Sequence, residues 1–487
     1  MVMGSLREET QVAVIGSGPG GYVTALRLAD LGKEVLLIEK RDRPGGTCLL
    51  EGCIPSKTLI HAVEVKKHAL GAEEFGLKFS GLEVDPVQLR DWTDGVVQGL
   101  SDGIKGLLKR RGVTVVEGHA RFTSSTEVSI EGGELSGVDF EQAVIATGSS
   151  LNRLPDGIVS SVWSSADALR LPGIPGSLLV VGGGYIGLEM GLVYQGLGSE
   201  VSVVEFFPRL LMGADRDLVD IMVKQVGDRV NEIMLESRVI SIIETDGDPA
   251  NGFDVEIEHE GKTITRHYDQ VLVAIGRRPN TDDLGLENTS VQVDERGHII
   301  TDEHCRTGEP NLFAIGDAAQ GMMLAHKASR EGKVAAEVIA AENPPAGSEP
   351  AELPEFDNRA IPAVVFTDPE IAWTGLTERE AEEKGLAVNV GRFPLAALGR
   401  ARTLGRSDGL VKIIAEPETD LILGVGIVGP LASELIAEGT LAVEMGATLE
   451  DLMVTIHPHP TLSEALMEAA EVAAGEAVHI NPPRKIR

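Results

Sequence analysis

The chain repeats itself. Gln11–Lys40 reads QVAVIGSGPGGYVTALRLADLGKEVLLIEK, and Ser177–Phe206 reads SLLVVGGGYIGLEMGLVYQGLGSEVSVVEF. Gly16, Gly18, Gly21, Gly32 and Glu39 recur as Gly182, Gly184, Gly187, Gly198 and Glu205, all at one constant offset. Two gapless copies of one unit constrain the fold strongly, because each copy must form the same strand–helix pairing. Each reads as an apolar strand, a G-x-G-x-x-G turn, a helix, and a second apolar strand ending in Glu. The first Gly permits the tight turn, the second lets backbone approach a pyrophosphate, and the third lets helix and strand pack closely. The helix N-terminus then presents free N–H groups to phosphate. The Glu closes the second strand, at the spacing from the glycines that lets it accept from ribose hydroxyls. Both copies are therefore expected to bind dinucleotides, and two sites suggest two different ones.

Other segments extend this plan. Ala143–Gly148 (AVIATG) and Val271–Gly276 (VLVAIG) read as strands that close each unit beside its pyrophosphate. Leu312–Asp317 (LFAIGD) is a third such strand, ending in Gly316-Asp317. Asp317 can accept from a ribityl hydroxyl, which points to a flavin in the first unit; a plain turn is the alternative. Glu205 would repel a 2′-phosphate, so the second unit is expected to prefer NAD over NADP, with Arg209 nearby as the counter-indication.

Gly45–Lys57 reads GGTCLLEGCIPSK. Cys48 and Cys53 lack the further Cys or His that a zinc site needs. A structural disulfide does not suit a chain with three cysteines and no secretion signal. A redox dithiol fits better, with inert buried cysteines as the alternative. Pro55 suits a helix start, and the helix dipole and Lys57 would favour a thiolate at Cys53. Cys305, in TDEHCRTG, reads as a bystander in a polar, strand-like stretch.

Near the C-terminus the chain reads HPHPTLSEA from His457 to Ala465. Thr461 to Glu464 has the pattern of a capping box. His459 and Glu464 also suit an acid–base dyad, because imidazole titrates near neutrality and a carboxylate can fix its tautomer.

Composition narrows the classes. Lys plus Arg number 43 against 75 Asp plus Glu, a formal charge of −32, and 43% of residues are hydrophobic. That core-forming content excludes a mostly disordered chain. The charge argues against nucleic acid, whose binding requires phosphate neutralisation, and against anionic lipid. No apolar run reaches the length of a membrane span. Met1–Thr10 is polar and unlike a signal peptide, so a cytoplasmic location is expected. The scattered excess of acid further suggests adaptation to a salt-rich cytosol.

The order of these motifs, together with MLAHKA at Met323–Ala328 and the HPHPTLSE tail, resembles the class I pyridine nucleotide–disulfide oxidoreductases, and within them the dihydrolipoamide-oxidising branch. The resemblance runs from about residue 10 to about residue 480. It implies an α/β fold: two Rossmann-like FAD and NAD(P) domains plus a C-terminal α+β dimerisation domain. The expected boundaries are 1–152 (FAD, with the dithiol), 153–279 (NAD), 280–350 (completing the FAD site) and 351–487 (interface). Ala341–Phe356, rich in Pro, Ala and Glu, reads as the linker into the last.

The resemblance also implies site residues. FAD would meet Gly16, Gly18, Gly21, Glu39, Lys57, Ala120, Thr147, Gly148, Asp317, Met323, Leu324, Ala325 and His326. NAD would meet Gly182, Gly184, Gly187, Glu189, Glu205, Val239 and Gly276. Catalysis falls to the Cys48–Cys53 disulfide, Lys57 (paired with Glu189), and His459 with Glu464, which reach the disulfide of the other subunit of a homodimer. Pro458 departs from the family, where Ala is common between the histidines, and leaves the role of His457 open. The implied activity is oxidation of dihydrolipoyl groups with reduction of NAD. The implied partners are lipoyl domains of the 2-oxoacid dehydrogenase acyltransferase or the glycine-cleavage carrier protein. No metal is expected.

Overall fold

The computed structural model describes residues 6–152, 157–342 and 352–481. The two repeats fold alike. In the first sheet, parallel strands run in the order Thr114–Glu117, Val35–Glu39, Arg7–Ile15, Gly137–Ile145, and Leu312–Ala314 pairs in parallel with the end of the last. In the second, Glu232–Met234, Glu200–Val204, Ser177–Val181 and Gln270–Val273 occupy the matching places, again all parallel. An antiparallel extension follows each: His119–Ser124 with Glu127–Glu131 in the first, and a separate sheet of Arg238–Glu244, Phe253–His259 and Lys262–Tyr268 beside the second.

The central strands are apolar on both sides because both sides are covered. Val12, Val14 and Leu37 pack into one core, while Ala13, Ile15, Leu36 and Ile38 pack into the opposite one. On the first face, helix Pro19–Asp30 lies against helix Ala325–Glu342, where Gly332 admits the Gly20 backbone. The Gly316–Ala318 turn that carries Asp317 is held from that second helix: Glu331 accepts from the Gly316 amide at 2.7 Å and pairs with Lys327 at 2.6 Å.

The C-terminal unit is an antiparallel sheet ordered Ala363–Val365, Glu370–Gly375, Ile422–Gly429, Leu410–Ala415, Asn389–Pro394. Helices Ala432–Met445 and Glu464–Ala474 pack on it around Phe393, Val411, Ile413, Ile427 and Leu466. Most of the linker expected over 341–356 lies outside the described residues, since 343–351 are among those not described. Cys305 is not in a strand. It sits buried in a turn with φ +63°, its thiol facing the Glu331 carbonyl.

A buried lysine ties this unit to the second repeat. Lys412 Nζ lies 2.6 Å from Asp215, 2.7 Å from Asp217 and 2.9 Å from Glu378. These three carboxylates are the one grouping among the described residues with metal-ligand spacing, and the ammonium occupies their centre. No described helix is long and apolar enough to cross a membrane.

The glycine turns set a stability contrast. A Cβ on Gly21 would overlap the Gly16 carbonyl oxygen, whereas one on Gly95, inside helix Pro86–Arg110, meets nothing within 4 Å. Gly21→Ala is expected to destabilise by about 1–3 kcal/mol, and Gly95→Ala to stabilise by about 0.5–1 kcal/mol. Denaturant titration of the two variants checks the sign of each.

Candidate active site

The repeat extends to individual hydrogen bonds. Glu39 accepts from the Ser17 amide at 2.9 Å and the Arg41 amide at 3.0 Å. Glu205 accepts from Gly183 at 2.6 Å and Phe207 at 2.8 Å, the equivalent positions of the second copy. Both carboxylates are nearly buried at the ends of their strands. Gly16 and Gly182 have φ of +101° and +111°, and a Cβ on either would strike the carbonyl of Ala146 or Ala274, just past the end of the neighbouring strand. The middle glycines differ. Gly18 meets only Gly46 at 3.8 Å, and Gly184 meets nothing within 4 Å. Each therefore leaves open backbone at a helix N-cap, the approach a pyrophosphate needs.

One cleft runs from the first turn to the cysteines. Of the residues expected at the first dinucleotide, Gly16, Gly18, Glu39, Lys57, Ala120, Thr147, Gly148, Asp317, Met323 and Ala325 line it. Gly21 is packed inside the turn. Leu324 and His326 are not in its wall, and His326 Nε2 instead meets the Pro362 carbonyl at 2.8 Å. The open glycine, the ribose-side carboxylate and Asp317 along one cleft fit a flavin dinucleotide.

Around the second turn, Gly182 and Gly187 shape the backbone, and the Ser237 amide donates to the Glu205 carbonyl, just before Val239. Val239 packs toward the apolar core of its own sheet. Gly276, φ +100°, accepts from the Asn152 amide. Arg209 is turned to its own loop, donating to Ala214 and Met212 carbonyls, away from Glu205. Glu189, expected at this turn, instead gives its two oxygens to Lys57 and to the Phe366 amide.

Cys48 lies on helix Gly46–Glu51, and Cys53 opens helix Cys53–Gly71. Pro55 falls in the first turn of that helix, where its missing N–H costs nothing. Both cysteines are free thiols lining the cleft. They titrate unequally. A hydrogen bond from Cys48 lowers the Cys53 thiol to about 7; burial opposes this and Lys57 assists. Cys48 is pushed up by that same bond and then by burial. Lys57 pairs with buried Glu189 at 2.8 Å, joining the dithiol helix to helix Tyr185–Leu197 of the second repeat.

His459 Nδ1 meets Glu464 Oε1 at 2.7 Å, and Glu464 Oε2 accepts from the Thr461 amide at 2.8 Å. Both readings of this tail thus share one carboxylate. Half of the capping box forms, although the helix itself begins later, at Glu464, with Ser463 as its cap. Burial raises the Glu464 carboxyl, but the Thr461 amide and His459 outweigh it, so it is held below its ordinary value. His459 is 78% exposed, and none of the dyad lines the dithiol cleft of its own chain. His457 is buried between Glu438 (2.7 Å) and the Thr455 carbonyl (2.9 Å), which anchors the loop.

Several residues in or beside the cleft escaped the sequence reading. Tyr185, directly after Gly184, stands in the wall. Arg277 donates to Ser149, whose hydroxyl donates to Asp317 at 2.5 Å. Its position directly after Gly276 was the available signal. Phe366 had none: its ring lies 4.3 Å from Lys57 Nζ, and its amide donates to Glu189 at 3.0 Å.

The pyridine nucleotide-disulphide oxidoreductase family matches residues 10–332, and that family's dimerisation domain matches 361–470. The chain is 46% identical to a dihydrolipoyl dehydrogenase of Thermus scotoductus, over 96% of this chain and 98% of the relative. It is also 46% identical to dihydrolipoyl dehydrogenase 2 of Haloarcula marismortui, over 98% and 100%. Among solved structures, LpdA from Mycobacterium tuberculosis superimposes with a TM-score of 0.83 at 27% identity, over 95% and 99%. The HOCl-induced flavoprotein disulfide reductase RclA from Escherichia coli, in its Cu(II) complex, gives 0.83 at 27%, over 96% and 99%.

The thiol asymmetry is measurable. In the reduced protein, iodoacetamide alkylation of Cys53 is expected to rise through a midpoint near pH 7. Lys57→Met should move that midpoint up, because the cation stabilises the thiolate. Peptide mapping of the label over a pH series checks both.

Proposed function

The chain belongs to the pyridine nucleotide-disulphide oxidoreductase family, and from that premise we propose that it oxidises protein-bound dihydrolipoyl groups at the Cys48–Cys53 pair and reduces NAD. The observation that carries this reading is the Cys48–Cys53 pair in the wall of the dinucleotide cleft, with the Lys57–Glu189 ion pair beside it. FAD and NAD are the cofactors. Gly16, Gly18, Glu39 and Asp317 would hold FAD along the first turn, where it would supply two-electron transfer between the dithiol and NAD.

The chain's own groups supply the thiol chemistry. His459, oriented by Glu464, takes a proton from the substrate dithiol, since only a thiolate attacks a disulfide. That thiolate attacks Cys48 of the oxidised pair. A bond forms between substrate sulfur and Cys48, the Cys48–Cys53 bond breaks, and Cys53 leaves as thiolate. The lower-pKa thiol is the better leaving group, which makes Cys48 the exchanging sulfur. The second substrate sulfur then displaces Cys48, which takes up its proton, closing the lipoyl disulfide and leaving both electrons on the protein as a Cys48 thiol and a Cys53 thiolate. Gly182, Gly184, Gly187 and Glu205 hold NAD. With both Glu205 oxygens already accepting backbone amides and Arg209 turned away, no cation among these groups stands ready for a 2′-phosphate.

A homodimer fits the dimerisation domain. The dyad is not alone in its exposure: the apolar side chains of Leu441, Met445, Val454 and Ile456 are exposed too, Ile456 at 95%. The proposed homodimer is one in which a second copy covers these side chains and offers its dithiol to His459. Lipoyl domains of the 2-oxoacid dehydrogenase acyltransferase, or of the glycine-cleavage carrier protein, are the partners this chemistry serves, in the cytoplasm. The charge of −32 supports work in concentrated salt.

Purified protein loaded with FAD is expected to reduce NAD with dihydrolipoamide and to use NADP poorly. Cys53→Ser should abolish this turnover while retaining flavin, and His459→Gln should lower it about a hundredfold or more. Undiminished turnover in Cys53→Ser would remove the dithiol from the mechanism; flavin reduced by NADH without lipoamide turnover would point to another acceptor. The thermal midpoint is expected to climb from dilute to molar potassium chloride, and a flat response would dissociate the charge from salt adaptation.

A further inference from the structure

We infer that Phe366, supplied by the C-terminal unit, is a positioning residue for the Lys57–Glu189 pair and through it for the reactive thiol. The inference rests on the dithiol reading above.

Three contacts carry it. Glu189 divides its two oxygens: Oε2 takes Lys57 Nζ at 2.8 Å, and Oε1 takes the Phe366 amide at 3.0 Å. The Phe366 ring then faces Lys57 Nζ from 4.3 Å, within cation–π range. Lys57 is thus held between a carboxylate and an aromatic face, and the carboxylate is held by the backbone under that same ring. Phe366 follows strand Ala363–Val365, whereas Lys57 and Glu189 lie on helices of the first and second repeats.

The ring is also a wall. Glu189 lines both the dithiol cleft and a second cleft, and Phe366 lines the second, with Ile60, Val63 and Leu192. Phe366 therefore stands between Lys57 and the second opening. Without the ring, Nζ can swing away from Cys53 and water can reach the pair, weakening an interaction that depends on direction and local dielectric. The titratable groups that face Cys53 are Cys48 on its neighbouring helix, Lys57 on its own, and Glu189 and Tyr185 on helix Tyr185–Leu197. Phe366 touches two of these four, Lys57 and Glu189.

The test keeps the amide and removes the ring. In reduced, FAD-loaded Phe366→Leu, the midpoint of Cys53 alkylation against pH is expected to rise by about half a unit or more. Phe366→Tyr, which keeps the aromatic face, should return it to the wild-type value. Phe366→Met provides a second ring-free variant should the branched side chain fail to fold. Flavin content and dimer mass measured in parallel separate this effect from general disruption. A midpoint unchanged in the folded ring-free variants overturns the inference, as does a Tyr variant that shifts as far as Leu. Failure of the underlying reading looks different: the wild-type Cys53 would itself show no titration near neutrality.

Discussion

The ion pair between Lys57 and Glu189 is the contact on which the redox site depends. Lys57 lies one helical turn after Cys53, so its position follows from that of the thiol. Glu189 lies in the first turns of the second repeat's helix, so its position follows from the glycine turn before it. The pair can close only when the two repeats are docked with these helices side by side. That docking is visible where Gly196 leaves room for Val63 and where Lys66 donates to the Gly196 carbonyl at 2.8 Å. A buried carboxylate without a partner would be costly, so the pair both requires and rewards this arrangement. Cofactor sites and dithiol chemistry are thereby made parts of one geometry.

The repeat explains why so much was legible in the sequence. A glycine that must avoid a carbonyl leaves no chemical choice, and both copies show the same solution at Gly16 and Gly182. Equivalent carboxylates at Glu39 and Glu205 accept equivalent amides. Local rules of this kind act within a single strand–helix–strand unit and survive in one dimension. The same holds for the short spacings of Cys48 to Cys53 and of His459 to Glu464.

What stayed hidden was set by tertiary placement. Phe366 is an ordinary apolar residue after a strand, and its role comes from arriving beside Lys57 from a distant part of the chain. Arg277 acts through Ser149 on Asp317, a chain of contacts drawn from three separate segments. Lys412 reads as one lysine in an apolar strand, yet it contacts three carboxylates from other elements. Thr461 to Glu464 was ambiguous in a different way. In one dimension a capping box and a dyad compete for Glu464, but a carboxylate has two oxygens and serves both.

That double use bears on how the base is held. His459 is largely exposed, and an exposed imidazole would sample several rotamers on its own. Glu464 fixes it from one oxygen while the other is fixed by the Thr461 amide, and His457 anchors the preceding loop to Glu438. The orientation of His459 is therefore built from its own chain. The dithiol is likewise completed within its own chain, by Lys57, Glu189 and Phe366. On the proposed dimeric reading each half-site is preorganised separately, so association would have only to bring two finished surfaces together.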